Sequence, residues 1–336
     1  MTQKIYPIAV VGGGSAGVMA TMRSILNNDE TLFFPGTPKD RKKSRARWVK
    51  KVQNMPGHLK YTRGIEEPNN ESLNWLAQSD FKDIFHWKKD IGIISVSKNK
   101  EGIFELKASD ENTYFAKFII LATGVMDVQP VIGGKIRDVL PYANLQTIDY
   151  CLRCDGHHVL GKELAIIGHT SEAVWVGAIL HERYNLPNVS ILTHGKKPEF
   201  DEKARELIKL YKFDVYEDEI EQIVGNPKDG TLEAFTMCCG ELSVRCEMAF
   251  ISLGMIVYNE LAKQLGAKLD ERGFVIGTKV GETSIENLYV CGDLKADTKK
   301  QIYTAWDNAV DAADHINKKI RNTKRQIKLQ EAGLLD

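Results

Sequence analysis

Two cysteines three positions apart, followed by an aspartate, make Cys-Leu-Arg-Cys-Asp-Gly at 151–156 the segment of this 336-residue chain best equipped for chemistry. Such a pair can close a disulfide and exchange it with a substrate disulfide. It can be half of a tetrahedral zinc site. It can also be two core thiols that do nothing. The attacking species in exchange is a thiolate, and Arg153, between the cysteines, is placed to favour it. Asp155 can pass the protons that thiol exchange needs. A zinc site needs two more ligands, and Cys238, Cys239 and Cys246 lie far along the chain without C-x-x-C spacing. Those three read as buried structural cysteines. His157 and His158 read as turn residues able to tune the thiols.

A second chemistry is written near the start. Ile8 to Val11 form a short apolar run, as expected of a parallel strand buried on both faces. Gly12, Gly14 and Gly17 follow as G-x-G-x-x-G, and helical spacing begins at once. Between a strand and a helix, this pattern suits a pyrophosphate at the helix N-terminus. The second strand, Thr31–Phe34, ends in Pro35 and Gly36 without the acid that usually holds a ribose. Residues 37–51 instead carry eight basic residues against one acid. This run reads as a solvated loop or as a docking patch for an acidic partner or a cofactor phosphate.

The elements that must position these groups read as α/β. Strand–glycine–helix starts lie near residues 8 and 164, and a closing strand–helix lies near 288. A β-rich stretch between residues 91 and 125 suggests an inserted meander. The expected fold is two Rossmann-like (three-layer ββα) nucleotide-binding domains, the first discontinuous and carrying the meander. The boundaries drawn are 1–124 with 252–336, and 125–251. Lys plus Arg equals Asp plus Glu at 45 each, so bulk charge argues for neither nucleic acid nor membrane as a partner. No stretch reaches the roughly 20 apolar residues of a membrane span. A cytoplasmic homodimer is expected.

At this point the chain resembles the low-molecular-weight thioredoxin reductase family. The resemblance rests on Gly-Gly-Gly-Ser-Ala-Gly at 12–17, Asn-Met-Pro-Gly at 54–57, Ala-Thr-Gly at 122–124 and Tyr-Cys-Leu-Arg-Cys-Asp-Gly at 150–156. Cys-Gly-Asp at 291–293 and Lys-Gln-Ile-Tyr-Thr-Ala at 300–305 complete it, in the family's order. It implies an FAD-dependent disulfide oxidoreductase. Gly12, Gly14, Ser15, Ala16 and Gly17 would lie under the FAD pyrophosphate. Gly36, Asn54, Ala122, Thr123, Gly124, Gly292, Asp293, Lys300, Gln301 and Ile302 would complete the cofactor site. Met55 replaces the aromatic residue of the family's flavin-side turn. Cys151 and Cys154 would be the redox disulfide, with Cys154 facing the flavin and Cys151 attacking a protein disulfide. Asp155 would manage protons.

The second nucleotide turn departs from the family. It reads Gly168-His169-Thr170-Ser171-Glu172-Ala173, with Thr170 where a glycine should admit the pyrophosphate. Glu172 adds negative charge to the first helical turn. His194, Lys196 and Lys197 stand where an arginine pair would clamp a 2′-phosphate. The expected donor is therefore not NADPH but reduced ferredoxin or a second bound FAD. Trp175 reads either as a ring on which that flavin could stack or as an ordinary helix residue. The expected substrate is thioredoxin or another disulfide protein. The alternatives are an ordinary NADPH- or NADH-dependent reductase, and a flavin-binding sensor or scaffold with little turnover.

Overall fold

The computed structural model describes residues 4–334. The chain opens with β1 (Ile5–Val11), α1 (Ser15–Leu26), β2 (Thr31–Phe34), α2 (Pro38–Arg41) and α3 (Glu66–Gln78). Four strands follow: β3 (Phe85–Trp87), β4 (Ile93–Lys98), β5 (Phe104–Ala108) and β6 (Thr113–Leu121). Next come β7 (Val125–Asp127), α4 (Leu140–Asn144), β8 (Ile148–Asp149), α5 (Leu152–Asp155), β9 (Leu164–Ile167) and α6 (Ser171–Tyr184). They lead to β10 (Val189–Leu192), α7 (Glu202–Tyr211), β11 (Asp214–Tyr216), β12 (Ile220–Asn226) and β13 (Thr231–Met237). The chain closes through β14 (Leu242–Arg245), β15 (Met248–Ile251), β16 (Met255–Val257), α8 (Glu260–Gln264), β17 (Leu288–Val290) and α9 (Ile302–Glu331).

Two compact units result. The first holds the chain up to Arg47, Ile65–Met126 and the chain from Val257; the second holds Trp48–Gly64 and Asp127–Ile256. The sequence reading placed 48–64 in the first domain. Its backbone and side chains instead meet the second unit: Gln146 Nε2 donates to Lys51 O, and Gln53 Oε1 binds both His157 and His158.

In the first unit β1 runs parallel to β2 on one side and β6 on the other. Ile8, Ala9 and Val10 are fully buried, as a strand covered on both faces requires. On its edge away from β1, the nine-residue β6 serves two further partners. Its first half pairs antiparallel with β5, which pairs with β4; its second half pairs parallel with β17. This is the expected meander. Helices α1 and α9 lie in one apolar cluster through Ala16, Ala20, Ala305, Ala309 and Ala312. Small side chains let the two backbones approach closely. Arg23 also holds Asp314 with two hydrogen bonds, at 2.6 and 3.1 Å. Both side chains are over a third exposed, so the pair is worth about 0.2–1 kcal/mol.

The second unit is a parallel sheet in the order β11-β10-β9-β15-β8, with an antiparallel sheet β12-β13-β14. Along β9, Leu164 and Ile166 enter one core, and Ala165 and Ile167 enter the other. The period of two divides the sheet's faces between two hydrophobic layers. Each unit is thus a Rossmann-like α/β body.

Candidate functional site

Gly12 ends β1 at φ +121°, a conformation open to glycine at little cost. A Cβ there would collide with the carbonyl of Ala122, and one on Gly17 with the carbonyl of Gly12. These two glycines let α1 start against the ends of β1 and β6. Gly14 is different, because a Cβ there would meet nothing within 4 Å. It caps α1 without a side-chain hydrogen bond, and the first turn, Ser15-Ala16-Gly17, carries no acid. Helix N–H groups therefore face open space at the positive end of a dipole, as a pyrophosphate requires.

Gly292 and the start of α9 lie against this turn. A Cβ on Gly292, at φ +69°, would run into the side chain of Ala16, with Ala305 next nearest. Thr123 donates to the carbonyl of Tyr258 at 2.5 Å, and Gly124 turns the chain at φ +70°. Gln301 is buried and caps α9, so Ile302 is the first residue of that helix. The set fits a dinucleotide such as FAD, which Gly12, Gly14, Ser15, Ala16, Gly17 and Ala122 could cradle, with Gly292 packed against Ala16. Asn54 belongs to the second unit.

The end of β2, which carries no acid, leads into a capping box. Gly36 stands at φ +93°, and in the box Asp40 Oδ2 accepts from the amide and hydroxyl of Thr37. The one acid of the basic run is used structurally. Three arginines of that run fold back onto the unit: Arg41 to Asp90 at 2.5 Å, Arg47 to Glu66 at 3.1 Å, and Arg45 to Asp293 at 3.8 Å. Lys39, Lys42 and Lys43 are exposed. Burial lowers the Lys300 ammonium to about 8, with Asp293 opposing the shift. Its Nζ donates to Lys295 O at 2.7 Å and lies 3.9 Å from the Phe274 ring centroid. The unfolded chain keeps this proton up to about 10.5, so the contribution of Lys300 to stability rises with pH from about 8 to 10.5. The buried thiols of Cys246 and Cys291 pull the other way, so the rise is read as the difference in thermal unfolding between the FAD-free protein and its Lys300→Met variant across that window.

In the second unit Cys151 and Cys154 form a disulfide, with their Cα atoms 5.3 Å apart. Cys151 caps α5, and the amide of Cys154 donates to its sulfur at 3.2 Å. An N–H aimed at sulfur favours the thiolate once the bond opens. Asp155 ends α5 and is only 3% exposed; Gln146 Nε2 donates to it at 3.4 Å. Asp149, which the sequence reading did not single out, and His158, which it read as a turn residue able to tune the thiols, complete this cluster. Asp149 Oδ2 lies 2.8 Å from His158 Nδ1, and polar atoms of Asp149, Asp155 and His158 all lie within 4.8 Å of one another. Burial pushes the Asp149 carboxyl well above the usual carboxylate range. It also pulls the His158 imidazole down, against the pull of Asp155. No sequence spacing could reveal this pairing, which joins a strand end to a 3-10 turn.

The second glycine turn is shaped differently from the first. Thr170 caps α6 at φ −104°, with Glu172 in the first helical turn. A strand-like segment crosses its mouth: Glu199 bridges Thr170, the Glu199 amide donates to His169 O at 2.7 Å, and the Asp201 amide donates to Ser171 Oγ at 2.8 Å. Gly168 retains the tight approach of such turns, because a Cβ there would meet Ser252 O at 2.5 Å. Trp175 is 41% exposed and lines a groove with Lys203, Leu207 and Leu210 of α7.

Of the distal cysteines, Cys246 is buried as expected, but Cys238 is exposed. It sits at φ +52° on the turn between β13 and β14. The side chain of Cys239 lies outside the described residues.

The pyridine nucleotide-disulphide oxidoreductase family matches residues 6–313 of the chain. A thioredoxin reductase of Mycoplasmopsis pulmonis is 24% identical over 327 residues, covering 95% of this chain and 98% of that protein. One of Listeria innocua is 24% identical over 344 residues, covering 98% of each. Among solved structures, thioredoxin reductase from Giardia duodenalis superposes with a TM-score of 0.78 at 17% identity, over 95% of this chain and all of that one. The enzyme from Streptococcus pyogenes gives 0.77 at 19% identity, over 96% and 100%. Both share the fold. With its glycine cradle and its C-x-x-C disulfide, the chain belongs to the pyridine nucleotide-disulphide oxidoreductase family, as a flavin disulfide oxidoreductase of the low-molecular-weight thioredoxin reductase type.

Proposed function

We propose that the protein reduces a disulfide protein through Cys154 and Cys151, with FAD on the first unit and an electron donor other than NADPH. FAD, when bound, supplies the electron pair that opens the Cys151–Cys154 bond. Cys151 is suited to attack because the Cys154 amide steadies its thiolate. Cys154 then resolves the mixed disulfide by attacking Cys151 Sγ, which releases the substrate dithiol. The curated relatives are named thioredoxin reductases, which favours a thioredoxin-like substrate.

One contrast carries the donor reading. The first turn offers open space at Gly14, whereas the second has a Thr170 side chain and is bridged by Glu199. With Glu172 beside it, a pyrophosphate there would meet bulk and negative charge. Reduced ferredoxin suits the exposed Lys39, Lys42 and Lys43; a second flavin is the other candidate. The retained tight approach at Gly168 favours the competing reading, ordinary pyridine-nucleotide use.

Adding excess NADPH or NADH to the yellow holoenzyme without oxygen separates these readings. The flavin colour should persist for minutes. Reduced ferredoxin or dithionite should bleach it, and a disulfide protein should restore it. Bleaching by NADPH within seconds overturns the donor proposal and leaves the disulfide chemistry standing.

A further inference from the structure

The cluster behind the C-x-x-C motif holds more than the aspartate that follows it. Gln53 Oε1 accepts from His157 Nε2 at 2.9 Å and from His158 Nε2 at 2.5 Å. An amide oxygen only accepts, so both Nε2 atoms carry hydrogen. In a neutral His158 the remaining nitrogen, Nδ1, is then an acceptor. Its partner at 2.8 Å is Asp149 Oδ2, which must supply the hydrogen. The Asp149 side chain is 4% exposed and that of His158 is 15% exposed. One proton therefore sits between a buried oxygen and a ring that reaches solvent. Asp155 lies alongside, within 4.8 Å of both.

We infer that Asp149 and His158 are positioning residues that share one proton between Oδ2 and Nδ1 and exchange it with Asp155 during thiol–disulfide exchange. The inference rests on the reading of Cys151–Cys154 as the redox disulfide and Asp155 as its acid. In each exchange one S–S bond forms as another breaks, so the electrons balance. The proton lost by the attacking enzyme thiol ends on the departing substrate thiolate. The Asp149–His158 pair stores that proton in between, and its neutral form needs no counter-ion. Burial favours this form from both sides, raising the carboxyl and lowering the imidazole. The charged groups around the pair are Asp155, Lys162 and Lys51, with His157 beside His158 and Tyr150 next to Asp149 along the chain. Both lysines disfavour a charged imidazole, and Lys162 favours the Asp149 carboxylate.

The leaving group provides the test. An alkyl thiolate is the poorer leaving group and gains from a proton as it departs, whereas an aromatic thiolate of lower pKa leaves readily without one. Dithionite-reduced holoenzyme is mixed with cystine or with an aromatic disulfide, and the released thiol is followed. His158→Asn should slow cystine reduction by about 10–100-fold and the aromatic disulfide by less than about threefold. Added imidazole should restore much of the cystine rate. Asp149→Asn, which keeps the shape and the neutral charge, should reproduce the substrate-dependent loss. Equal slowing of both substrates without rescue by imidazole overturns the inference, as does a wild-type cystine rate in both variants. Cys154→Ser serves as the control. If it releases no more than one thiol per enzyme from either disulfide while the Asp149 and His158 variants behave as wild type, only the proton inference falls. If it turns over repeatedly, the redox-disulfide reading falls with it.

Discussion

Cys154→Ser lowers disulfide turnover by about 10⁴-fold or more, the expected scale for losing one member of a nucleophilic unit, while the flavin stays bound. The separation follows from where the groups lie. The cradle at Gly12, Gly14 and Gly17 belongs to the first unit, and Cys154 belongs to α5 of the second. The substitution removes one sulfur and leaves the backbone amide of residue 154, which donates to Cys151 Sγ at 3.2 Å. Cys151 therefore keeps its stabilised thiolate but loses its disulfide partner. It can attack a substrate once, and no second sulfur is left to release the product. Two measurements check this. Steady-state reduction of a disulfide protein, driven by dithionite, should vanish while the absorbance of bound flavin is unchanged. Iodoacetamide should also label Cys151 in the variant without prior reduction, whereas the wild-type pair should resist until reduced. Turnover above about one per cent of wild type would remove Cys154 from the mechanism.

What the sequence disclosed, and what it hid, follows from how local each constraint is. Gly12 and Gly17 are legible because their demands are met within a few residues: a positive φ and a contact with the neighbouring turn. The C-x-x-C pair is legible because two sulfurs one helical turn apart meet without help from the rest of the fold. The proton cluster is not local. Gln53, Gln146, Asp149 and His158 come from three stretches of chain, and only tertiary packing joins them. The basic run shows the same limit. Its charge was plain, yet the partners that fold Arg41 and Arg47 back, Asp90 and Glu66, lie 49 and 19 residues away. Cys238 was misread for a related reason. It was read as buried together with the other two distal cysteines, but the left-handed turn at φ +52° leaves it exposed.

Gly14→Asp should abolish FAD retention yet leave the fold at least as stable, whereas Gly12→Ala should damage the fold itself. The two glycines belong to one motif but answer to different forces. Gly14 has φ −77° and ψ −175°, extended backbone that any residue adopts, and no atom lies within 4 Å of a Cβ built there. It is also an N-cap without a side-chain hydrogen bond. An aspartate there can accept from the first-turn amides, adding a few tenths of a kcal/mol. That same carboxylate takes the helix N–H groups that the pyrophosphate needs and faces it with like charge. A loss of FAD affinity of about 100-fold or more, about 2.7 kcal/mol, follows. Gly12 leaves no such choice. At φ +121° an alanine is strained by about 1–3 kcal/mol before packing is considered. Its methyl group also collides with the Ala122 carbonyl, fixed in the strand-end pairing of β1 with β6. Flavin content after gel filtration and thermal unfolding of the FAD-free proteins read the two effects separately. Gly14→Asp should lose its flavin with an unchanged or raised midpoint, and Gly12→Ala should fall in midpoint whether or not FAD is present. A Gly14→Asp protein that stays yellow would place the pyrophosphate elsewhere and remove the cradle from the FAD site.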